Sequence, residues 1–528
     1  MELLELYLSP LDEPARFRVI VTQSPGGEGE SESSLPFLDA DRDWRATIIR
    51  SLELSSFDPR YFPAEGEREW MAGSAILGSD RSSFHHRYLA NIGRLLYRSL
   101  FPRDSDVERL LQQSIAFAES KSSKLIVRLK FEEDAAKRSP LADYPWELLH
   151  QERFLCHHQV EFSRYIAYKA VPPNLPATEK LNVLLVSSAA SDSELNLNPL
   201  SGKEQKAIRK GLKVASDRGD ISLEQLPEPT FAELRTYLAE RPGDKAPHVL
   251  HFDGHGLYGK RCQECGAMNK GSKPPRCRKC NAELPPPRGY LVFEDEDGGA
   301  DYIGAEDLGT LLQQSGLSDG VTQGRGVVLV VLSACQSGMA IAGESLFNGA
   351  AQNLIAHRVP AVVAMQYSVE VNSATKFAEQ FYRSLGQKNS LTIAMSQARA
   401  AMGVEGNQWY RPVLYLRWRD NDGGQLFVTR PRTTRESFQE FANNRDLEPF
   451  LTSNDASVPD YEKPLNVGDI QNQKIDTNYD KSELLIDSLA TISELKADIY
   501  RFYNRYKDNK FLELIEKIEL IESQIKSY

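Results

Sequence analysis

The chain has 528 residues, 41% of them hydrophobic, and a formal net charge of −11. That length and apolar content can bury a sizeable core in two or three domains. The acidic balance excludes bulk attraction to nucleic acid or anionic membranes, so any such binding must be local. No segment reaches the roughly 18 apolar residues that span a bilayer, and Met1 to Leu6 carry neither a basic stretch nor a long apolar run. Of six cysteines, four fall at metal-ligand spacing, which leaves no disulfide framework and predicts a reducing, cytoplasmic compartment.

In chain order, Glu2 to Leu8 and Ala15 to Thr22 alternate like paired strands, and Ser24 to Ser34 is a polar loop rich in Gly, Ser and Glu. Residues 41–120 read mainly as helices, among them an amphipathic stretch from Ile92 to Phe101, and Lys124 to Lys130 reads as a strand. His157-His158 reads as a surface pair or turn. From Leu181 the pattern alternates: strand Leu181 to Ser187, helix Lys203 to Ala215, strand from Glu224, helix Phe231 to Ala239, strand His248 to Phe252. Such alternation predicts a largely parallel sheet with helices on its faces.

Two short segments end apolar strands. His251-Phe252-Asp253-Gly254-His255-Gly256 places His255 just past one strand's C-terminal end. Ser333-Ala334-Cys335-Gln336-Ser337-Gly338 follows the β-branched run Gly326 to Leu332, which places Cys335 at the end of a central parallel strand. Both then lie on the sheet edge where open α/β folds bind ligands. An imidazole beside a thiol generates a nucleophilic thiolate, and glycines let a peptide carbonyl approach. His255 and Cys335 thus read as a cysteine peptidase dyad, with the backbone N–H groups of Gly256 and Cys335 as oxyanion donors. Asp253 is open to three roles: orienting the imidazole, receiving a basic P1 residue, or hydrogen-bonding its own turn. From Glu344 to Ile355 a helix should pack beneath the nucleophile loop, with Glu344 near its N-terminus.

Cys262-Gln-Glu-Cys265 and Cys277-Arg-Lys-Cys280, eleven residues apart, have the spacing of a zinc ribbon. Four thiolates suit a closed structural Zn²⁺ site, whose apparent binding energy of about 10–16 kcal/mol could fold a segment too small for its own core. The ribbon interrupts the chain between His255 and the strand Gly289 to Phe293. Lys260, Arg261, Lys270, Lys273, Arg276, Arg278 and Lys279 make it basic, suited to nucleic acid or an acidic protein, or simply a solvated ornament.

Beyond the dyad, the run Pro145-Trp146-Glu147-Leu148-Leu149, Ser163-Arg164-Tyr165-Ile166, Leu181 to Ser187, HFDGHG, SACQSG and Ala361 to Gln366 resembles the CHAT domain family of caspase-like, separase-related cysteine peptidases. The helices around Phe381 to Leu385 and Ala394 to Arg399 are similar to the family's closing helices. The resemblance covers residues about 120 to 420. It implies an α/β, caspase-like three-layer sandwich, with a pseudo-caspase half at 1–175 and a peptidase half at 176–429, and His255 and Cys335 as dyad. It also implies a substrate pocket near Asp253, Gln366, Tyr367 and Ser368, where Tyr367 departs from the family's more frequent Trp.

The zinc ribbon occupies 260–288 in this reading. Residues 430–481, rich in Asn, Asp, Ser, Thr and Pro, read as a linker, and 482–528 as a helical hairpin with apolar stripes at Leu485, Leu489, Ile492 and at Phe511, Ile515, Ile518. Two such helices make only a marginal core, so they should pack on the body, on a second copy or on an activating or adaptor protein. The expectation is a latent caspase-like endopeptidase cleaving specific proteins in bacterial defence or stress signalling. The rivals are a non-enzymatic scaffold and a nucleic-acid-responsive regulator acting through the ribbon.

Overall fold

The computed structural model describes residues 1–428 except 14, 40–41, 55, 133–139, 158–159, 168–177, 196, 201, 242–245, 272, 316–325, 336–345, 404–407 and 418–422, and at Asp39, Pro140, His157, Ser315, Cys335 and 346–349 the backbone alone. The expected linker, the C-terminal hairpin, His158 and Glu344 lie outside the described residues.

β1 (Glu2–Pro10) and β2 (Arg16–Gln23) form the expected antiparallel pair. The polar segment after them is more than a loop: β3 (Gly29–Ser34) adds to β2 as an edge strand. Its alternating Glu and Ser keep that edge charged, which blunts pairing with other chains. A two-residue pair, β4 (Leu38–Asp39) and β5 (Arg42–Asp43), leads into helices α1 (Arg45–Glu53), α2 (Glu65–Gly73), α3 (Tyr88–Leu100) and α4 (Asp106–Ser120). α3 buries Leu89, Ile92, Leu96 and Leu100, a stripe at three- and four-residue steps that explains why this segment is helical. Ser105 caps α4 by accepting from the Glu108 amide.

Strands β6 (Leu125–Glu132) and β7 (Val160–Ala167) continue the sheet in parallel with β1. Then come β8 (Leu181–Ser187), α5 (Lys203–Asp217), β9 (Ile221–Gln225), α6 (Phe231–Glu240), β10 (Val249–Arg261), β11 (Met268–Lys270), β12 (Arg288–Glu294), β13 (Ala300–Gly304) and α7 (Ala305–Ser315). The chain closes with β14 (Leu329–Cys335), α8 (Leu346–Ala356), β15 (Ala361–Met365), α9 (Val371–Gly386), α10 (Leu391–Met402) and β16 (Pro412–Leu416). All but β4 and β5 join one 14-stranded sheet, in which β10, β14 and β15 are central and parallel. Among the described residues no helix is long and apolar enough to cross a membrane.

Alternation along the strands feeds two cores. Val249, Leu329, Val331 and Val363 face α5, α9 and α10, while Leu250, Phe252, Val330 and Leu332 face α6, α7 and α8. Three layers result. α5 and α9 touch backbone to backbone: a Cβ at Gly211 would stand 2.4 Å from the Glu379 carbonyl oxygen, so only glycine fits.

The two expected halves share this sheet, meeting where Tyr415 of β16 pairs with Arg164 of β7. Arg164 is fully buried, and such a charge requires full compensation. Its guanidinium pairs with the Glu147 carboxylate and donates to the Ala142 carbonyl (2.7 Å), the Tyr144 carbonyl (3.0 Å) and Gln366 Oε1 (3.0 Å). The Trp146 to Leu149 segment, the middle of β7 and the chain leaving β15 are thereby locked together.

Candidate active site and metal centre

β10 differs from its expected form. Instead of ending near Phe252 it runs to Arg261, with His255 at its middle. Up to Asp253 it lies between β8 and β14, and from His255 to Gly259 it pairs antiparallel with β12. His255 stands where β8 has ended and β12 begins, on the edge of the parallel sheet.

β10 and β14 run in parallel register from Val249↔Leu329 to His255↔Cys335. Neighbouring strands lie about 4.8 Å apart, and parallel partners occupy the same face. Along that face the residue types change from Val249 and Leu329, in the core, through His251 and Val331, to Asp253 and Ser333, and finally to His255 and Cys335. The strands thus deliver an imidazole and a cysteine position side by side at the end of β14.

His255 is buried, and its Nε2 lies 2.6 Å from the main-chain oxygen of Asn198. A carbonyl only accepts, so Nε2 carries the hydrogen, and in the neutral ring Nδ1 then holds the lone pair. Nδ1 has no hydrogen-bond partner among the described residues. The ring is held by a carbonyl 57 positions earlier in the chain, a contact that residue types alone do not signal. Gly256 follows, in register with Leu291 of β12.

Asp253 lies in register between Ser187 and Ser333 on the same face. The Ser187 hydroxyl donates to its Oδ2 at 3.1 Å, and Gln205 Nε2 donates in turn to Ser187 Oγ at 2.5 Å. Deeper, His251 Nδ1 meets the Tyr382 hydroxyl at 2.8 Å and its Nε2 lies 3.3 Å from the Glu204 carboxylate. Burial and the nearby Glu204 charge push the Asp253 carboxyl up to about 7, against the opposing pull of His251 and the Ser187 hydrogen bond. Imidazole orientation, one of the roles open to Asp253, falls in this geometry to Asn198.

Of the other expected pocket residues, Gln366 and Tyr367 are packed inward and Ser368 is half-buried. Gln366 is buried with its amide bridging Arg164 and the Asp143 carbonyl (2.6 Å). Tyr367 is buried beside Tyr410, ring centroids 5.8 Å apart. Ser368 presents its amide N–H to both oxygens of Glu53 at 3.2 Å. Cys156, outside the site, is buried, and that burial pushes its thiol up to about 12, which makes it unreactive.

The four cysteines of the ribbon converge, with all four Sγ atoms within 4.8 Å of one another. Cys262 and Cys280 sulfurs are 3.5 Å apart and those of Cys265 and Cys277 3.6 Å. Zn–S bonds of about 2.3 Å in a tetrahedron require S···S edges near this length, so the donor set fits zinc. The Lys279 amide donates to Cys277 Sγ at 3.4 Å, a hydrogen bond of the kind that supports a metal-bound thiolate. β11 docks the ribbon on the far end of β10, where a Cβ at Gly259 would stand 2.4 Å from the Asn269 oxygen. We expect one zinc per chain by elemental analysis. Cobalt substitution should produce the intense charge-transfer and d–d bands of a tetrahedral tetrathiolate, and Cys277→Ser should lose the metal while the circular dichroism of the body persists.

A mostly parallel sheet covered by helices on both faces, with a histidine and a cysteine position paired at its edge, defines a caspase-like peptidase fold. The chain belongs to the CHAT domain family, whose model matches residues 92–414. Similar solved structures include the Saccharomyces cerevisiae separase–securin complex, at 10% identity and TM-score 0.36 over 78% of this chain and 30% of that one. A second structure of that complex matches at 9% identity and TM-score 0.34. A structure described as a protease matches at 8% identity and TM-score 0.33, over 60% of this chain and 68% of its own. The chain thus spans about 30% of the separase chain. Comparison with the curated proteins finds no match.

Proposed function

We propose that this chain is a cysteine endopeptidase whose nucleophile is Cys335 and whose general base is His255. The observation that carries the reading is the register pairing of these two residues at the end of β10 and β14. His255 Nδ1 takes the thiol proton, the Cys335 sulfur attacks the scissile carbonyl carbon, and the Gly256 and Cys335 amides receive the oxyanion. The protonated imidazole then gives its proton to the departing amine. Water attacks the thioester with His255 again as base, releasing the acid and restoring the thiol.

Asp253 is the floor that fits a substrate side chain. It carries a buried carboxylate with one side-chain hydrogen bond among the described residues, on the dyad's own face. A cationic P1 group would supply the charge that Ser187 alone does not. Protein substrates with Lys or Arg at P1 follow from this. Bacterial defence or stress signalling, with latency relieved by a partner bound at 482–528, is the setting that the family resemblance suggests.

The test is labelling of purified protein with electrophilic peptide probes that vary at P1, with and without host lysate. Labelling at Cys335, strongest for basic P1 probes, is expected. Silence under every condition from folded, zinc-loaded protein would replace this reading with that of a non-enzymatic scaffold.

A further inference from the structure

The sequence leaves the ribbon without a task, yet an arginine beside each knuckle contacts the body of the protein. Arg261, immediately before Cys262, donates to the Tyr302 main-chain oxygen at 3.0 Å and lies 3.7 Å from the Asp301 carboxylate. The Tyr302 hydroxyl donates to Asp192 Oδ2 at 2.6 Å. Arg278, immediately after Cys277, donates to the Glu194 carboxylate at 3.0 Å. Asp192 and Glu194 belong to the loop between β8 and α5 that also carries Asn198.

Within that loop Asp192 is the fastening point. Its Oδ1 accepts from the Glu194 and Leu195 amides at 2.9 and 3.2 Å. Its main chain closes a ring with Leu197, N to O at 3.0 Å one way and 2.9 Å the other. The next residue is Asn198, whose carbonyl holds His255 Nε2. Leu195 and Leu197 sit in the core, and the Ala189 amide is held by Glu294 at 2.7 Å, anchors of the loop that do not involve the ribbon. What the arginines and Tyr302 add is its position over the imidazole.

We propose that the metal-bound ribbon acts as a positioning module for the dyad, with Arg261, Arg278 and Tyr302 setting, through Asp192 and Glu194, where the Asn198 carbonyl meets His255. The inference rests on the reading of His255 as the base. The magnitudes divide the work. The Arg278–Glu194 pair is exposed and contributes little stability. The short hydroxyl-to-carboxylate bond from Tyr302 is charge-assisted and partly buried, and carries the larger share. Losing both links frees the carbonyl to drift, and a displacement of about 1 Å is enough to cost up to about a hundred-fold in rate.

The experiment compares full-length wild type, Tyr302→Phe, Arg278→Ala, the double variant and zinc-free Cys277→Ser. It uses ¹⁵N-histidine NMR of the resting protein, with His255→Gln to assign the signal. Wild type should show His255 as the Nε2–H tautomer. The double variant and Cys277→Ser should show a mixture of tautomers, and the double variant should keep its zinc. Where the probes label Cys335, kcat in the double variant should fall about ten- to a hundred-fold with KM within two-fold. Tyr302→Phe keeps its ring in the core and Arg278 is exposed, so neither single change threatens folding. An unaltered His255 tautomer in both the double variant and Cys277→Ser would overturn the proposal. Because NMR reads the resting ring, failure of the peptidase reading would appear separately, as absent labelling with the tautomer shift intact.

Discussion

Alanine in place of Cys335 is expected to remove all cleavage, a loss on the order of a million-fold in kcat, with the chain still folded and zinc-loaded. His255→Ala should be milder, about a hundred- to ten-thousand-fold, and different in kind. Without the imidazole the thiol still attacks when it ionises by itself, near its ordinary pKa of about 8.5. Alkylation of Cys335 by iodoacetamide in His255→Ala should therefore rise steeply between about pH 7.5 and 9.5, whereas in wild type it should already be high at neutral pH. On the proposed mechanism this asymmetry follows from a His255 whose Nε2 is tied to Asn198 and whose position is in register with Cys335. Equal pH profiles in the two proteins would show that the histidine does not activate the thiol.

Much of this site was legible from residue types, and the parts that were not have physical reasons. The β-branched runs at Leu329 to Leu332 and Leu181 to Val186 announce buried parallel strands, and they are found there. The length of β10 was hidden by Gly254, Gly256 and Gly259, which lower strand propensity. Pairing with β14 on one side and β12 on the other overrides that cost, and Gly259 in particular marks the close approach of β11. Asn198 was invisible because its contribution is a main-chain oxygen, which every residue has. Gln366 read as a pocket residue, whereas its amide completes the hydrogen bonding of buried Arg164 and the Asp143 carbonyl. Periodicity shows that a residue is near a strand end, and only tertiary packing shows which way its polar atoms are taken.

Asp253→Asn should separate specificity from stability in opposite directions. For substrates or probes with Arg or Lys at P1, kcat/KM should fall by about a hundred-fold or more, since truncating one partner of a buried charge pair costs about 2–5 kcal/mol. Neutral P1 probes should change by no more than a few-fold. The free protein should meanwhile become more stable at alkaline pH. In the folded wild type the carboxyl titrates up at about 7, pushed there by burial and by Glu204, with His251 and the Ser187 hydroxyl opposing. Unfolded, it titrates near 3.9. The folded state holds the proton more tightly, so the stability contributed by protonated Asp253 is complete below about pH 4 and is lost as pH rises through 7. Asparagine never ionises, so its advantage over wild type should grow across that window and level off above it. Binding of a non-covalent amidinium ligand such as benzamidine should show the mirror image. It should tighten in wild type as pH rises through 7, with proton release at lower pH, and should be weak and pH-independent in Asp253→Asn. Glu204 and His251 face the same carboxylate, and Tyr382 holds His251 from α9, so Glu204→Gln should lower the pH at which the tightening occurs. A ligand that binds both proteins alike across this range would show that the Asp253 carboxylate takes no part in recognising a cation.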